Sequence, residues 1–198
     1  MTTDLKKEQK DLYAPPREPS MVDVPPTRFL MIDGQGDPNE IDFARAIETL
    51  YSVAYTLKFS MKAQGADFTV MPLEALWWAG NPEAFLKHDM SEWQWTAMIH
   101  QPDTVNTEML TDAKAAAAKK KDLPALGLLR LETLAEGRCV HMMHIGPYDT
   151  EAPNIERMHD FMRAHGLDFA GKHHEIYLSD PRRTAPEKMK TVLRQPVR

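Results

Sequence analysis

Apolar positions recur along this chain with two periods, one suited to strands and one to helices. Thr27 to Asp33 (TRFLMID) is a short apolar strand, stopped by Gly34, Gly36 and Pro38. Asn39 stands where a helix cap is expected, and Asp42 falls in the first turn, where the helix dipole favours an acid. Phe43, Ile47, Leu50, Ala54, Leu57 and Met61 then recur at spacings of four and three, which predicts a long helix with one apolar stripe, ended by Gly65. Residues 68–78 (FTVMPLEALWW) and 93–100 (WQWTAMIH) read as two strands joined by a loop containing Asn81 and Pro82. A helix rich in alanine and lysine follows over about 103–121, and its Lys119–Lys121 triplet reads as a solvated face. Residues 128–134 and 138–145 read as a hairpin around Ala135, Glu136 and Gly137. Thr150 to Ala164 is a helix with Ile155, Met158, Phe161 and Met162 on its apolar side, and Gly166 stops it. Two last strands, 173–179 and 189–195, flank a loop beginning Asp180-Pro181. The first 26 residues, with Pro15, Pro16, Pro19, Pro25 and Pro26, read as an extended arm.

The two halves of this pattern match. Lys62–Phe68 (KAQGADF) aligns with Arg163–Phe169 (RAHGLDF), and each copy ends a helix that follows an apolar strand and precedes two more strands. The expected fold is therefore α+β, a single domain over 27–198 built from two βαββ repeats (about 27–101 and 126–197) with the 103–121 helix as connector. A pseudo-twofold between such repeats leaves a cleft at their junction, where small ligands usually sit.

Composition narrows the function. The chain has 198 residues, 42% hydrophobic and 27% charged, enough to bury a real core without disulfides. Its single cysteine, Cys139, excludes an internal disulfide and any cysteine-rich metal centre. A net charge of −5 and a proline-rich start leave no place for a dedicated nucleic-acid-binding module. No apolar run approaches a membrane span and no signal-peptide pattern opens the chain, so a cytoplasmic location is expected.

The sharpest chemistry lies in His173-His174-Glu175-Ile176-Tyr177-Leu178-Ser179. On a strand, Glu175, Tyr177 and Ser179 share one face while His174, Ile176 and Leu178 share the other. A carboxylate and a phenol on one face of a cleft suit either a general base or a counter-charge for a cation; the alternative is a plain solvent-facing pair. Trp77, Trp78, Trp93 and Trp95 fall within 19 residues on two neighbouring strands, an excess for one core, and can line an aromatic slot with Tyr51 and Tyr55 of the long helix as its wall. His141 and His144, like His173 and His174, face opposite sides of their strands, so no metal site is expected. Gly34-Gln35-Gly36 is too short for a dinucleotide loop.

His144-Ile145-Gly146-Pro147-Tyr148, Glu175-Ile176-Tyr177-Leu178-Ser179-Asp180-Pro181 and the opening Phe29–Pro38 together resemble the GyrI-like small-molecule-binding domains over residues 27–197. That resemblance implies two βαββ repeats around a cleft, with Glu175 contacting the ligand. The chain looks like the stand-alone, tryptophan-rich branch, some of whose members are similar to hydrolases that detoxify cyclopropane-bearing genotoxins by adding water to the strained ring. In that case Glu175 activates water, Tyr148 or Tyr177 polarises the conjugated carbonyl, the tryptophans hold the flat ligand, and no cofactor is required. The alternatives are a protein that sequesters planar or cationic compounds, and an accessory protein that binds another protein.

Overall fold

A computed structural model describes residues 2–80 and 90–198. The loop expected around Asn81 and Pro82 lies outside the described residues. In chain order the elements are α1 (Leu5–Glu8), α2 (Lys10–Tyr13), β1 (Ser20–Val24), β2 (Thr27–Gln35), α3 (Ile41–Ala63), β3 (Leu73–Ala79), β4 (Trp93–His100), α4 (Thr107–Ala118), β5 (Arg130–Leu134), β6 (Gly137–Ile145), α5 (Ala152–Ala164), β7 (His173–Tyr177) and β8 (Lys190–Pro196). The fold is mixed α and β with antiparallel strand pairing. The chain divides into two compact units: residues 1–5 with 27–134, and residues 6–26 with 135–198.

In the first unit four antiparallel strands run β3-β4-β2-β5. Helix α3 buries Phe43, Ala46, Leu50, Val53, Ala54, Leu57 and Met61, close to the stripe expected from spacing, with Ala46 and Val53 inward and Ile47 only half-buried. Each large apolar side chain so removed from water contributes about 1.5–3 kcal/mol. Glu40, not Asn39, holds the cap position of α3, because Asn39 donates its backbone and side-chain N–H groups to Asp37 instead. Gly34 lies opposite Trp95 across β2 and β4, where a Cβ would sit 2.2 Å from the indole ring. That position admits no side chain. Helix α4 is capped by Asn106, whose side chain accepts from Met109 N at 2.9 Å, and it packs on α3.

In the second unit the order is β1-β6-β8-β7. Helix α5 lays Met158 and Met162 on Val140, Met142, Leu193 and Val197. The first residues are more structured than an extended arm: β1 pairs with β6, Met143 N donates to Pro16 O, and Leu12 and Tyr13 of α2 are buried.

Residues 130–134 and 137–145 do not form the hairpin expected from sequence. Strand β5 pairs with β2, whereas β6 pairs with β1 and β8. The physical reason is Glu136, which is drawn inward rather than left on a turn. His174 Nδ1 lies 3.0 Å from both of its oxygens and Arg194 Nη1 donates to it at 3.1 Å, while Arg194 Nη2 donates to Leu12 O at 2.7 Å. Burial pushes the Glu136 carboxyl up, but His174 and Arg194 outweigh it and hold its pKa at about 2.

Helices α3 and α5 end alike. Gly65 and Gly166 have φ of 85° and 64°, and the residue after each glycine donates to the carbonyl of Met61 or Met162. Both are Schellman ends, which need the left-handed backbone that glycine supplies.

Candidate functional site

Strand alternation places the chemistry of the second unit on one face of β7. Burial alternates along His173–Tyr177 as the parity argument requires: His174 and Ile176 are buried, while His173, Glu175 and Tyr177 are partly open. Tyr177 lies across from Thr191 of β8, which in turn lies across from His144 of β6. The α5 helix meets the same face, since Leu193 pairs with Glu175 and packs against Met158 and Met162.

Tyr177 donates its hydroxyl to Glu175 Oε2 at 2.7 Å. On the other side His173 Nε2 lies 3.4 Å from Glu175 Oε1, too poorly aligned for a hydrogen bond. The Tyr148 ring stands edge-on to Tyr177, centroids 5.5 Å apart, so the structure brings both candidate tyrosines to Glu175. Their roles differ. Tyr177 is committed to the carboxylate, whereas the Tyr148 hydroxyl makes no hydrogen bond to the described residues and its side chain is 40% exposed. Burial, then Glu151, Glu175 and Asp180, push the Tyr148 pKa up to about 12, so it remains a protonated donor at physiological pH.

The loop that carries Tyr148 is built by the His144-to-Tyr148 motif. His144 Nδ1 accepts from the Asn154 amide at 2.8 Å, which leaves its Nε2–H to donate to Pro147 O at 3.1 Å. Thr150 Oγ1 donates to the same carbonyl at 2.7 Å. Gly146 has φ of 143°, and a Cβ there would meet Thr150 Oγ1 at 3.0 Å and His144 Nε2 at 3.2 Å. A short 3-10 turn, Tyr148–Thr150, then delivers the chain to α5.

Sequence reasoning missed Glu151 and Thr191. Glu151 occupies the cap position of α5 but makes no capping bond; its side chain turns inward and is only 5% exposed. It reaches the Glu175 carboxyl, and burial first, then the Glu175 charge, raise its pKa to about 9. The Thr191 hydroxyl, buried beside the same carboxyl, opposes these two effects and lowers the Glu151 pKa. An acid at the start of a helix reads in sequence as a dipole complement, so no local signal separated Glu151 from an ordinary capping residue.

The tryptophans belong to the first unit. Trp77 and Trp95 are buried beneath α3 against Phe43, with centroid distances of 5.4 and 4.9 Å, and Trp93 meets Trp77 edge-on at 5.8 Å. Trp78 turns to the opposite strand face with Phe29, Met31, Leu76 and Met98. Tyr51, Tyr55 and Phe59 stack along the outer side of α3 at 6.3 Å spacings, with Tyr55 and Phe59 exposed.

Among the described residues no group of three His, Cys, Asp or Glu side chains is placed to hold a metal ion. The four strand histidines are engaged separately: His144 with Asn154, His174 with Glu136, His173 beside Glu175, and His141 buried with its pKa lowered to about 4 by burial and then by Arg194. No described helix is long and apolar enough to cross a membrane.

Residues 17–198 match the family described as GyrI-like small molecule binding domain. An uncharacterized conserved protein from Listeria innocua is similar over 100% of both chains, with 45% identity and a TM-score of 0.94. A hydrolase from Listeria innocua is 44% identical over 100% of both chains, with a TM-score of 0.89. The EcmrR C-terminal domain shares the fold at 10% identity and a TM-score of 0.56, over 91% of this chain and 97% of that one. No curated protein sequence matches the chain.

Proposed function

The chain belongs to the GyrI-like small-molecule-binding family, and on that premise we propose that it hydrolyses strained, cyclopropane-type electrophiles, a detoxification carried out in the cytoplasm. The observation that carries this reading is the Glu175–Tyr177 hydrogen bond with the unengaged Tyr148 hydroxyl beside it. A base and a separate proton donor on one partly open face are what water addition to an activated ring needs. Similarity to a protein described as a hydrolase points the same way.

In the proposed reaction Glu175 takes a proton from water as the water oxygen bonds to the ring methylene. The ring C–C bond breaks, and its electron pair passes through the conjugated system to the carbonyl oxygen. That oxygen takes the Tyr148 proton, and Glu175 returns its own proton to the phenolate. Water is the only co-reactant, and ring strain supplies much of the driving force. Within the first unit, Trp78, Trp93, Tyr51 and Tyr55 of the set Trp77, Trp78, Trp93, Trp95, Tyr51 and Tyr55 keep ring faces that are not wholly buried, and these are the surfaces proposed for stacking on flat ligands. The same reading treats the two units as repeats from one duplication, with their matching Schellman ends as its trace.

Incubation with a cyclopropanoid alkylator followed by mass spectrometry tests it: a product heavier by one water is expected. Glu175→Gln keeps shape but removes basicity, so turnover falls about 10²–10⁴-fold. Tyr148→Phe lowers turnover while leaving the Tyr177–Glu175 bond in place. An alkylator recovered unchanged at every enzyme concentration refutes hydrolysis. The second reading, sequestration of cationic aromatic compounds with Glu175 as counter-charge, is favoured by the contacts Glu175 makes among the described residues, which are to Tyr177 and His173 and to no lysine or arginine. It predicts that Glu175→Gln weakens cations selectively and leaves neutral ligands alone.

A further inference from the structure

The side of α3 turned away from its buried stripe carries aromatic rings. Tyr51, Tyr55 and Phe59 follow one another at intervals of four, and their rings stack at 6.3 Å spacings. Tyr55 is 47% and Phe59 60% exposed, and with Ile41 they make three of the six exposed large hydrophobics among the described residues. Three such side chains on one helix are a patch rather than scatter. One charge of each sign flanks it. Glu48 stands seven residues before Tyr55 and Lys62 seven after it, two turns on either side, so all three share a face. Glu48 pairs with Lys121 and Lys62 lies 3.9 Å from Asp67, yet the two side chains stay 44% and 59% exposed. Lys58, by contrast, is drawn onto Asp67 and the Phe68 carbonyl.

We propose that this face of α3 pairs with the same face of a second copy of the chain, antiparallel, about a twofold axis at Tyr55. Such an isologous contact sets residues equally far before and after Tyr55 opposite one another. Glu48 then meets the partner's Lys62, Tyr51 meets the partner's Phe59, and Tyr55 meets the partner's Tyr55. The charges close both ends of the aromatic contact, about 21 Å apart at 1.5 Å per residue. A parallel pairing would set Glu48 on Glu48 and Lys62 on Lys62, so charge selects the antiparallel form. Charge also selects the register. Moving the axis to Leu57 would still stack Tyr55 on the partner's Phe59, but it would carry Glu48 opposite the partner's Ala66, beyond the helix end at Ala63. Four turns of helix face bury less than the roughly 1,200 Å² at which stable interfaces begin, so a reversible dimer with a dissociation constant in the micromolar range is expected. In the dimer Tyr51 and Tyr55 face the partner, and stacking on flat ligands falls to Trp78 and Trp93. The pairing itself is independent of the hydrolase reading.

Sedimentation velocity of the full chain, from roughly 1 to 300 μM, reads the pairing directly. The sedimentation coefficient should rise with concentration from that of a monomer to that of a dimer. Tyr55→Arg puts two cations at the axis and should leave monomer at every concentration. Glu48→Lys and Lys62→Glu each set like charges together at both ends, and each should raise the dissociation constant about tenfold or more. The double variant Glu48→Lys/Lys62→Glu restores opposite signs and should return it to within about threefold of the parent value. Raised salt should weaken the parent dimer and narrow its gap from the single variants. Lys121→Ala, which removes only the intrachain partner of Glu48, should not weaken the dimer. A protein monomeric throughout overturns the proposal and leaves the face to flat ligands. A dimer indifferent to Tyr55→Arg overturns it as well, and so does a double variant no tighter than the single ones. The charge series decides the matter by itself should Tyr55→Arg fail to fold.

Discussion

Glu151 and Glu136 are both buried glutamates in one unit, and their neighbours drive them in opposite directions. Glu151 is raised to about 9 by burial and by Glu175, so between its unfolded value near 4.5 and pH 9 the folded state holds a proton that the unfolded chain has lost. Stability therefore falls as pH rises through that window. Glu151→Gln removes this cost: it should leave stability unchanged below pH 4.5 and raise it by about 1–3 kcal/mol at neutral pH, the full shift being discounted for the coupling to Glu175. Urea denaturation at pH 4, 7 and 9 checks the sign. Glu136 behaves conversely, with stability present above pH 4.5 and lost only as pH falls toward 2. Replacing it with alanine strands Arg194 and His174 in the interior, and a loss of about 3–5 kcal/mol is expected from the same measurement. Neither role was legible in the sequence. Burial of a carboxylate depends on partners 38 and 58 residues away, or 24 for the Glu151–Glu175 pair, and no local period encodes them.

The elements were more legible than the charges, because period and punctuation are local. The α3 stripe, the alternation on β7 and the glycine-ended helices all follow from spacing and from backbone restrictions. The error at Ala135-Glu136-Gly137 has the same origin: a glycine between two apolar runs reads as a turn, and only the pull of Arg194 and His174 on Glu136 shows that the strands pair elsewhere. Gly34 tests how closely these elements are fitted. It reads in sequence as a strand stop, yet β2 continues to Gln35 and the glycine serves to admit the Trp95 ring. Gly34→Ala should cost about 1–3 kcal/mol through overpacking and shift tryptophan fluorescence, whereas Gly127→Ala, with nothing within 4 Å of its Cβ, should do neither. Equal effects at the two positions would remove the packing account.

At the scale of the whole chain, its one cysteine makes opening of the second unit measurable without a label. Cys139 is fully buried on β6, and burial first, then Glu136, push its thiol up to about 12, so it is neither exposed nor ionised in the folded state. A disulfide reagent should react at pH 8 only through opening, at a rate that follows the population of the open form. The two glutamates then make separate predictions for one readout. Loss of Glu136 weakens the network beside Cys139, and Glu136→Ala should speed the reaction by the factor its stability loss dictates, about tenfold per 1.4 kcal/mol. Glu151→Gln should slow it at pH 8 and leave it unchanged at pH 3 relative to the parent protein, since the proton it replaces is in place in both folded and unfolded chains at that lower pH. A thiol that reacts at the rate of a free cysteine in the folded protein would show that β6 is not closed. A rate indifferent to both substitutions would show that Cys139 reports local fraying and that the buried glutamates act independently of the unit's stability.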